Sequence, residues 1–384
     1  MTEKSPRSPK KIVLAPDSFK GSLTAGAFCR TVEKEAAARF GRIRIRSLPL
    51  ADGGEGTVDC FLFAAGGERV EITVSDPWGK AVRSAYAVLP DGTAVIETAA
   101  SAGLVLAGPE CRAAETTTYG VGETVRHALR AGRRRILLGL GGSATNDGGC
   151  GAASALGVRF LDADGIPFLP VGGTLGRIAA IDRSACDPLL REAEIRCLCD
   201  VKNPLCGPDG ASAVFGPQKG ADAETVRLLD RGLDRLGLLF ARETGRDVRD
   251  VPGAGAAGGL GAGLLALFGA SLVPGIETVL DTLAFGRELE DADLVITGEG
   301  SFDTQSFSGK AVSGVAKRAK AAGVPVWIFA GRTEAAARTR CREIGAEGVW
   351  TLSEVAPSPE ESRRRAAHYL ALTARRAFAE RFPS

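Results

Sequence analysis

The run "KIVLAP" (residues 11–16) is apolar without interruption, as in a strand covered on both faces, and "TAGAFCRTVEKEAAARF" after it reads as a helix. A further strand pattern, "RIRIRSLPLADGG", completes a strand–helix–strand unit and with it a parallel sheet. The same rhythm returns near the end: "ADLVITGEG", helical "GKAVSGVAKRAKAAG", "VPVWIFAG", helical "TEAAARTRCREIG", "EGVWTL", then an amphipathic helix from about Pro359. Together these predict five strands in an open doubly wound sheet. Between the two sets, "ERVEITVSDPWGKAVRSAYAVLPDGTAVIETA" alternates short β-rich runs with "DPWG" and "PDG", the pattern of an antiparallel meander. The fold class expected is α/β. One parallel-sheet domain spans 1–65 and 285–384, and a mixed α/β domain over 66–284 is inserted into it. Residues 116–157, with a helix, a strand, a glycine loop and a second helix, suit either domain.

Five apolar runs end in loops of one character: "IVLAPDSFKGS", "RSLPLADGGEGT", "ILLGLGGSATNDGG", "IRCLCDVKNPLCGP" and "LVITGEGSFDTQS". Each sets acids, amides or hydroxyls beside glycine at the carboxyl end of a strand, the edge where open α/β sheets hold ligands. Their recurrence predicts one shared site. An isolated Asp in a turn more commonly bonds its own backbone. Asp17, Asp52, Glu55, Asp147, Asp200, Glu299 and Asp303, however, would repel one another at one edge unless cations or protons intervene. Phosphoryl transfer meets that condition, since magnesium bridges carboxylates to phosphate oxygens and one carboxylate can take the acceptor's proton. Lys20, Lys219 and Lys310 supply positive charge in the same loops. "GLGGSATNDGG" and "PGAGAAGGLGAG" suit phosphate, because glycine lets backbone N–H groups approach an anion; tight packing is the competing explanation for each alone.

Composition narrows this further. At 384 residues the chain is long enough for two domains. It is 45% hydrophobic and 24% charged, and no apolar stretch approaches the roughly 20 residues of a membrane helix. "MTEKSPRSPKK" lacks the apolar centre of a secretory signal, so a cytoplasmic protein is expected. Nine scattered cysteines read as reduced thiols. Cys197 and Cys199 would share one strand face and serve the core rather than zinc. A net charge of +2 supplies no field for nucleic acid or membrane, and Arg133 to Arg135 read as a solvated run. Gly253, Gly255 and Gly258 match dinucleotide spacing but follow polar sequence rather than a strand, and "SGKA" at Lys310 lacks the remaining P-loop glycine. His127 and His368 sit in helical surroundings away from the acids, and no "GxSxG" elbow occurs.

The blocks "APDSFKGS", "ADGGEGT", "TTYGVGE", "GLGGSATNDGG", "CDVKNPLCGPDGA", "VFGPQKGA", "GAGAAGGLG" and "DLVITGEGSFDTQS", in this order from about residue 11 to about residue 310, resemble the type I glycerate kinase family, the bacterial glycerate 2-kinases. The resemblance implies ATP-dependent phosphorylation of D-glycerate to 2-phosphoglycerate with Mg2+. It also implies two α/β domains, one Rossmann-like or flavodoxin-like, with the active site in the cleft between them. "SDPWGK" departs from the family pattern at Trp78 and Lys80, which bears on packing or local contacts more than on the reaction. Roles come from loop chemistry and are not fixed by the resemblance. Asp17, Ser18, Lys20 and Asp52, with Gly53 and Gly54, are expected around glycerate and the moving phosphoryl group; Asp200 and Asn203 bind Mg2+ or orient substrate. Asp17, Lys20, Asp52 and Asp200 form the catalytic set, and Lys219 joins the substrate-binding groups. Gly141, Gly142, Ser143, Thr145, Asn146 and Asp147 make the preferred nucleotide loop, Gly258 and Gly259 a second, while Glu299, Asp303 and Lys310 complete the site. A kinase for another small hydroxy acid and a non-catalytic nucleotide- or anion-binding protein remain as alternatives, and a homo-oligomer is compatible with the sequence.

Overall fold

The computed structural model describes residues 8–51, 53–307 and 310–383. Two compact units emerge, one from residues up to 52, 63–65 and 276 onward, the other from 53–62 and 66–275.

In the first unit the five predicted strands form one wholly parallel sheet, in the order Ala346–Thr351, Val326–Thr333, Leu294–Phe302, Lys11–Leu14, Arg44–Ser47. Ile12 lies opposite Leu294 on one side and Ile45 on the other, so Lys11–Leu14 is central and buried throughout. A strand covered on both faces needs an unbroken apolar run, the pattern its sequence carries. Thr24 caps the helix Ala25–Phe40 by accepting from the Ala27 amide at 3.2 Å, and Gly41 at φ 67° ends it. Its buried positions Phe28, Val32 and Ala36 recur every fourth residue and pack with Phe329, Trp350, Leu370 and Phe378 in one core. Glu35 on that helix is buried and accepts from Arg375 Nε at 2.5 Å. The helix expected from Pro359 is two, Pro359–Arg364 and Ala366–Arg381, because Arg365 at φ −119° and ψ 38° leaves helical geometry.

The second unit is built on a mixed six-stranded sheet, ordered Ser271–Val273, Glu194–Leu198, Arg135–Gly139, Ala94–Glu97, Ala81–Val88, Glu68–Ser75. The first four strands are parallel, and the last two turn back as the predicted meander. Residues 116–157 fall in this unit. Tyr119–Arg130 packs Val121, Val125 and Leu129 onto Ile96, Ile136 and Leu138. The long helix Ala223–Thr244 starts where Asp222 accepts from the Thr225 amide at 2.8 Å, and it buries Leu229, Leu233, Leu236 and Phe240. Cys197 lies in its strand, but Cys199 falls just beyond the strand end and donates to the Val201 carbonyl. The Cys199 amide still donates to the Val273 carbonyl at 2.9 Å, and both residues pack on one core, Cys197 buried and Cys199 partly buried.

Candidate active site

In the first unit the chain leaves Lys11–Leu14 toward Arg44–Ser47 and leaves Leu294–Phe302 toward Val326–Thr333, so the winding reverses between two adjacent strands. Ligands in open α/β sheets bind at that reversal, outside the carboxyl ends. There the Asp17 amide donates to the Gly298 carbonyl at 2.9 Å, and Thr297 Oγ1 donates to the Ala15 carbonyl at 2.8 Å, fixing the two strand exits side by side. Asp17 turns one carboxylate oxygen onto the Ser18 amide at 2.6 Å. A tight turn follows, with Phe19 bonded to Leu23 and Gly21 at φ 74°, where an L side chain would be strained. Lys20 projects from this turn into solvent.

Glu299 stands at the neighbouring exit, 8% exposed, and its Oε1 has no hydrogen-bond partner. Burial pushes its carboxyl above the ordinary glutamate value. The Ser306 hydroxyl and the charges of Lys310 and Lys20 pull the other way, and Asp303 adds to the rise. The Asp303 amide donates to Ser306 Oγ at 3.1 Å, and Lys310 begins the helix Ala311–Ala321. The first unit therefore gathers Asp17, Ser18, Lys20, Glu299, Asp303 and Lys310. Asp52 lies outside the described residues.

A second set of loops lies at the carboxyl ends of the parallel strands of the second unit. Residues 53–56 run across Gly139 and Gly141, whose lack of side chains permits the crossing. A Cβ on Gly139 would sit 2.2 Å from the Gly53 carbonyl oxygen, and one on Gly141 2.7 Å from Gly54 Cα. Glu97 grips the same loop, accepting from the Gly56 amide at 3.2 Å and the Val58 amide at 2.5 Å at the start of the helix Thr57–Ala65. Burial raises the Glu97 carboxyl, while those amides favour its charged form.

The loop of residues 141–147 is turned largely inward. Gly142 is exposed, but Thr145, Asn146 and Asp147 are fully buried. Asp147 accepts from the Thr118 amide and hydroxyl, both at 2.8 Å, from Gly149 at 3.0 Å and from Gly151 at 3.1 Å, a fully committed scaffold carboxylate. Asn146 Nδ2 donates to Ser212 Oγ at 3.3 Å. Lys219, 2% exposed, donates to Ser143 Oγ at 2.9 Å and to the Thr145 carbonyl at 2.8 Å. Gly258 and Gly259, in the left-handed region at φ 64° and 88°, back this loop from within. A Cβ on Gly258 would meet the Thr145 carbonyl oxygen at 2.0 Å, and the Gly258 carbonyl accepts from Gly148. These two glycines are buried, and the space of their missing side chains is taken by the Thr145–Asn146 backbone at Gly258 and by Leu205, Gly148 and Leu233 at Gly259. Asp200 is exposed, with Oδ1 accepting from the Gly275 amide at 2.7 Å; Asn203 Nδ2 donates to the Asp209 carbonyl at 2.8 Å.

The five loops expected to share a site arise from two sheets. The exits of Lys11–Leu14, Arg44–Ser47 and Leu294–Phe302 belong to one sheet, those of Arg135–Gly139 and Glu194–Leu198 to the other. Local patterns do not reveal which strands pair. The loop patterns also passed over Glu97, although "TAVIETA" is itself an apolar run ending in an acid. Trp78 packs beside Ala107, Cys111 and Ala144 with Nε1 donating to the Ala107 carbonyl, so its departure from the family pattern concerns packing.

The fold and these loops define an α/β protein with carboxylates, lysines and glycine loops at its strand ends. The glycerate kinase family model matches residues 12–381. Glycerate kinase of Bacillus subtilis strain 168 is 44% identical over 95% of this chain and 96% of its own length. Glycerate 2-kinase of Escherichia coli K12 is 45% identical over 84% and 85%. A crystal structure from Salmonella typhimurium LT2, with the provisional designation glycerate kinase 2, superposes with a TM-score of 0.84 at 43% identity, covering 96% of this chain and 97% of that one. The chain belongs to the glycerate kinase family.

Proposed function

We propose that the protein transfers the γ-phosphoryl group of ATP to D-glycerate, giving 2-phosphoglycerate, in the cytoplasm. The observation that carries this reading is the meeting of Asp17, Ser18, Lys20, Glu299, Asp303 and Lys310 at the winding reversal of a parallel sheet, in a chain 43–48% identical to proteins named glycerate kinase. A hydroxy acid asks for both kinds of group found there. Lys20 and Lys310 suit its carboxylate, and a carboxylate such as Glu299 or Asp17 suits the proton of its hydroxyl. In the second unit, Gly141, Gly142, Ser143 and Thr145 with Lys219 offer the donors that nucleotide phosphates take.

Among the described residues no group of three or more His, Cys, Asp or Glu is arranged to hold a metal ion. Mg2+ in phosphoryl transfer needs only one or two carboxylates and fills its remaining positions with phosphate and water oxygens. The exposed Asp200 fits that demand and would hold it. When bound, Mg2+ supplies charge neutralisation at the phosphates. Among the described residues no helix is long and apolar enough to cross a membrane.

A coupled ADP-release assay across D-glycerate, L-glycerate and related hydroxy acids, with the product identified by phosphorus NMR, tests the reading. D-glycerate should be preferred and 2-phosphoglycerate formed. Preference for another hydroxy acid overturns the substrate, and absence of acceptor-dependent ADP with all of them overturns the kinase.

A further inference from the structure

Lys219 carries a charge in a place that hardly admits one. It is the last residue of the short helical turn Pro217–Lys219, is 2% exposed, and spends two of its three N–H donors on Ser143 Oγ and the Thr145 carbonyl. Neither acceptor is charged, and the third N–H meets no acceptor among the described residues. Two other ionisable groups influence it. Cys111 is pushed by burial toward the neutral thiol, and Asp147 already has both carboxylate oxygens engaged by four donors. An ammonium so deeply desolvated, without a dedicated counter-ion, is unfavourable by itself.

Thr145 is the independent sign that something is to be added. Its hydroxyl, in a fully buried residue, has no hydrogen-bond partner, although buried hydroxyls nearly always find one. The same residue supplies the carbonyl that Lys219 grips. The remaining Lys219 N–H, reaching in from its own turn, and the Thr145 and Ser143 hydroxyl hydrogens of one short loop are therefore three donors without an acceptor among the described residues, beside the exposed Gly142. A phosphate group carries several acceptor oxygens and the missing negative charge.

Resting on the proposed kinase activity, we propose that Lys219, Thr145 and Ser143 form a phosphate-binding point in the second unit, and that phosphate binding there is coupled to proton uptake by Lys219. Burial lowers the Lys219 ammonium from its usual value to about 8, so near that pH a large part of the unliganded protein carries a neutral amine. An anion stabilises the charged form, and binding must then draw a proton from solvent. The phosphate could come from the nucleotide or from the phosphorylated acid, and the two have separate arms in the test.

The test is titration calorimetry of the full chain with ADP and, separately, with 2-phosphoglycerate, at pH 7, 8 and 9 in buffers of different ionisation enthalpy. Uptake of about 0.1, 0.5 and 0.9 proton per ligand is expected at the three pH values for whichever ligand occupies the point. Lys219→Arg, which stays charged, should bind with this uptake removed, and Lys219→Met should weaken that ligand at least tenfold. Uptake with ADP alone makes the point a nucleotide site; uptake with 2-phosphoglycerate alone makes it a product site. If both ligands bind without uptake beyond that of Lys219→Arg, or if Lys219→Met binds both normally, the inference is overturned. Acceptor-dependent ADP release in the same preparation would then leave the kinase reading standing, so the two failures are distinguishable.

Discussion

Glu299 in the first unit and Asp147 in the second arise from the same sequence habit, an acid beside glycine after an apolar strand, and both are buried. Asp147 has four donors on its two oxygens and nothing left to offer a ligand. Glu299 keeps one oxygen without a partner and stands among lysines and another acid. Hydrogen-bond saturation, more than residue type or burial, separates a carboxylate that holds a loop in shape from one still able to act.

Replacing each acid should sharpen that contrast. The largest effect is expected for Asp147→Ala, which strands four buried donors. A loss of stability on the order of 4 kcal/mol should appear in denaturant unfolding. A change below about 1 kcal/mol would show that the saturated carboxylate is not a scaffold. Next comes Glu299→Gln, expected to lower kcat about 100-fold, equivalent to ~2.7 kcal/mol of barrier, with unfolding nearly unchanged. The acid limb of the wild-type rate profile should lie above the ordinary glutamate value of 4.5, because activity requires loss of a proton that burial makes harder to remove. A wild-type rate that persists in Glu299→Gln would remove this residue from the chemistry. The smallest effect belongs to Glu97→Gln, which places an NH2 group against one of two amide donors. About 1 kcal/mol of local stability should go, read as faster hydrogen exchange at Gly56 and Val58. Unaltered protection at both amides would mean that Glu97 does not hold the loop.

Much of the architecture was legible because strands and helices write their burial locally. "KIVLAP" is apolar on both faces and becomes a central strand; "ERVEITV" alternates and becomes an edge strand of the meander. Thr24 and Gly41 mark the ends of a helix within a few residues of its apolar stripe. The sites were legible only as a vocabulary of loops. Whether "GSATND" faces solvent depends on Gly258 pressing against Thr145 and on Lys219 reaching Ser143, contacts between segments far apart in the chain. Glycine in "GAGAAGGLG" therefore resembles an anion loop in sequence while its φ angles and neighbours serve packing. Glu97 escaped notice because its partners, Gly56 and Val58, flank the start of a helix far earlier in the chain.

The division of the first unit between the two ends of the chain has a consequence for synthesis. Ile12 pairs with Ile45 on one side soon after both leave the ribosome, but its other edge must wait for Leu294. In the interval the second unit, supplied almost entirely by the continuous stretch 66–275, has all of its strands available. The most apolar strand of the first sheet thus spends most of translation with one bare edge, in an order set by connectivity rather than by its own readiness to fold.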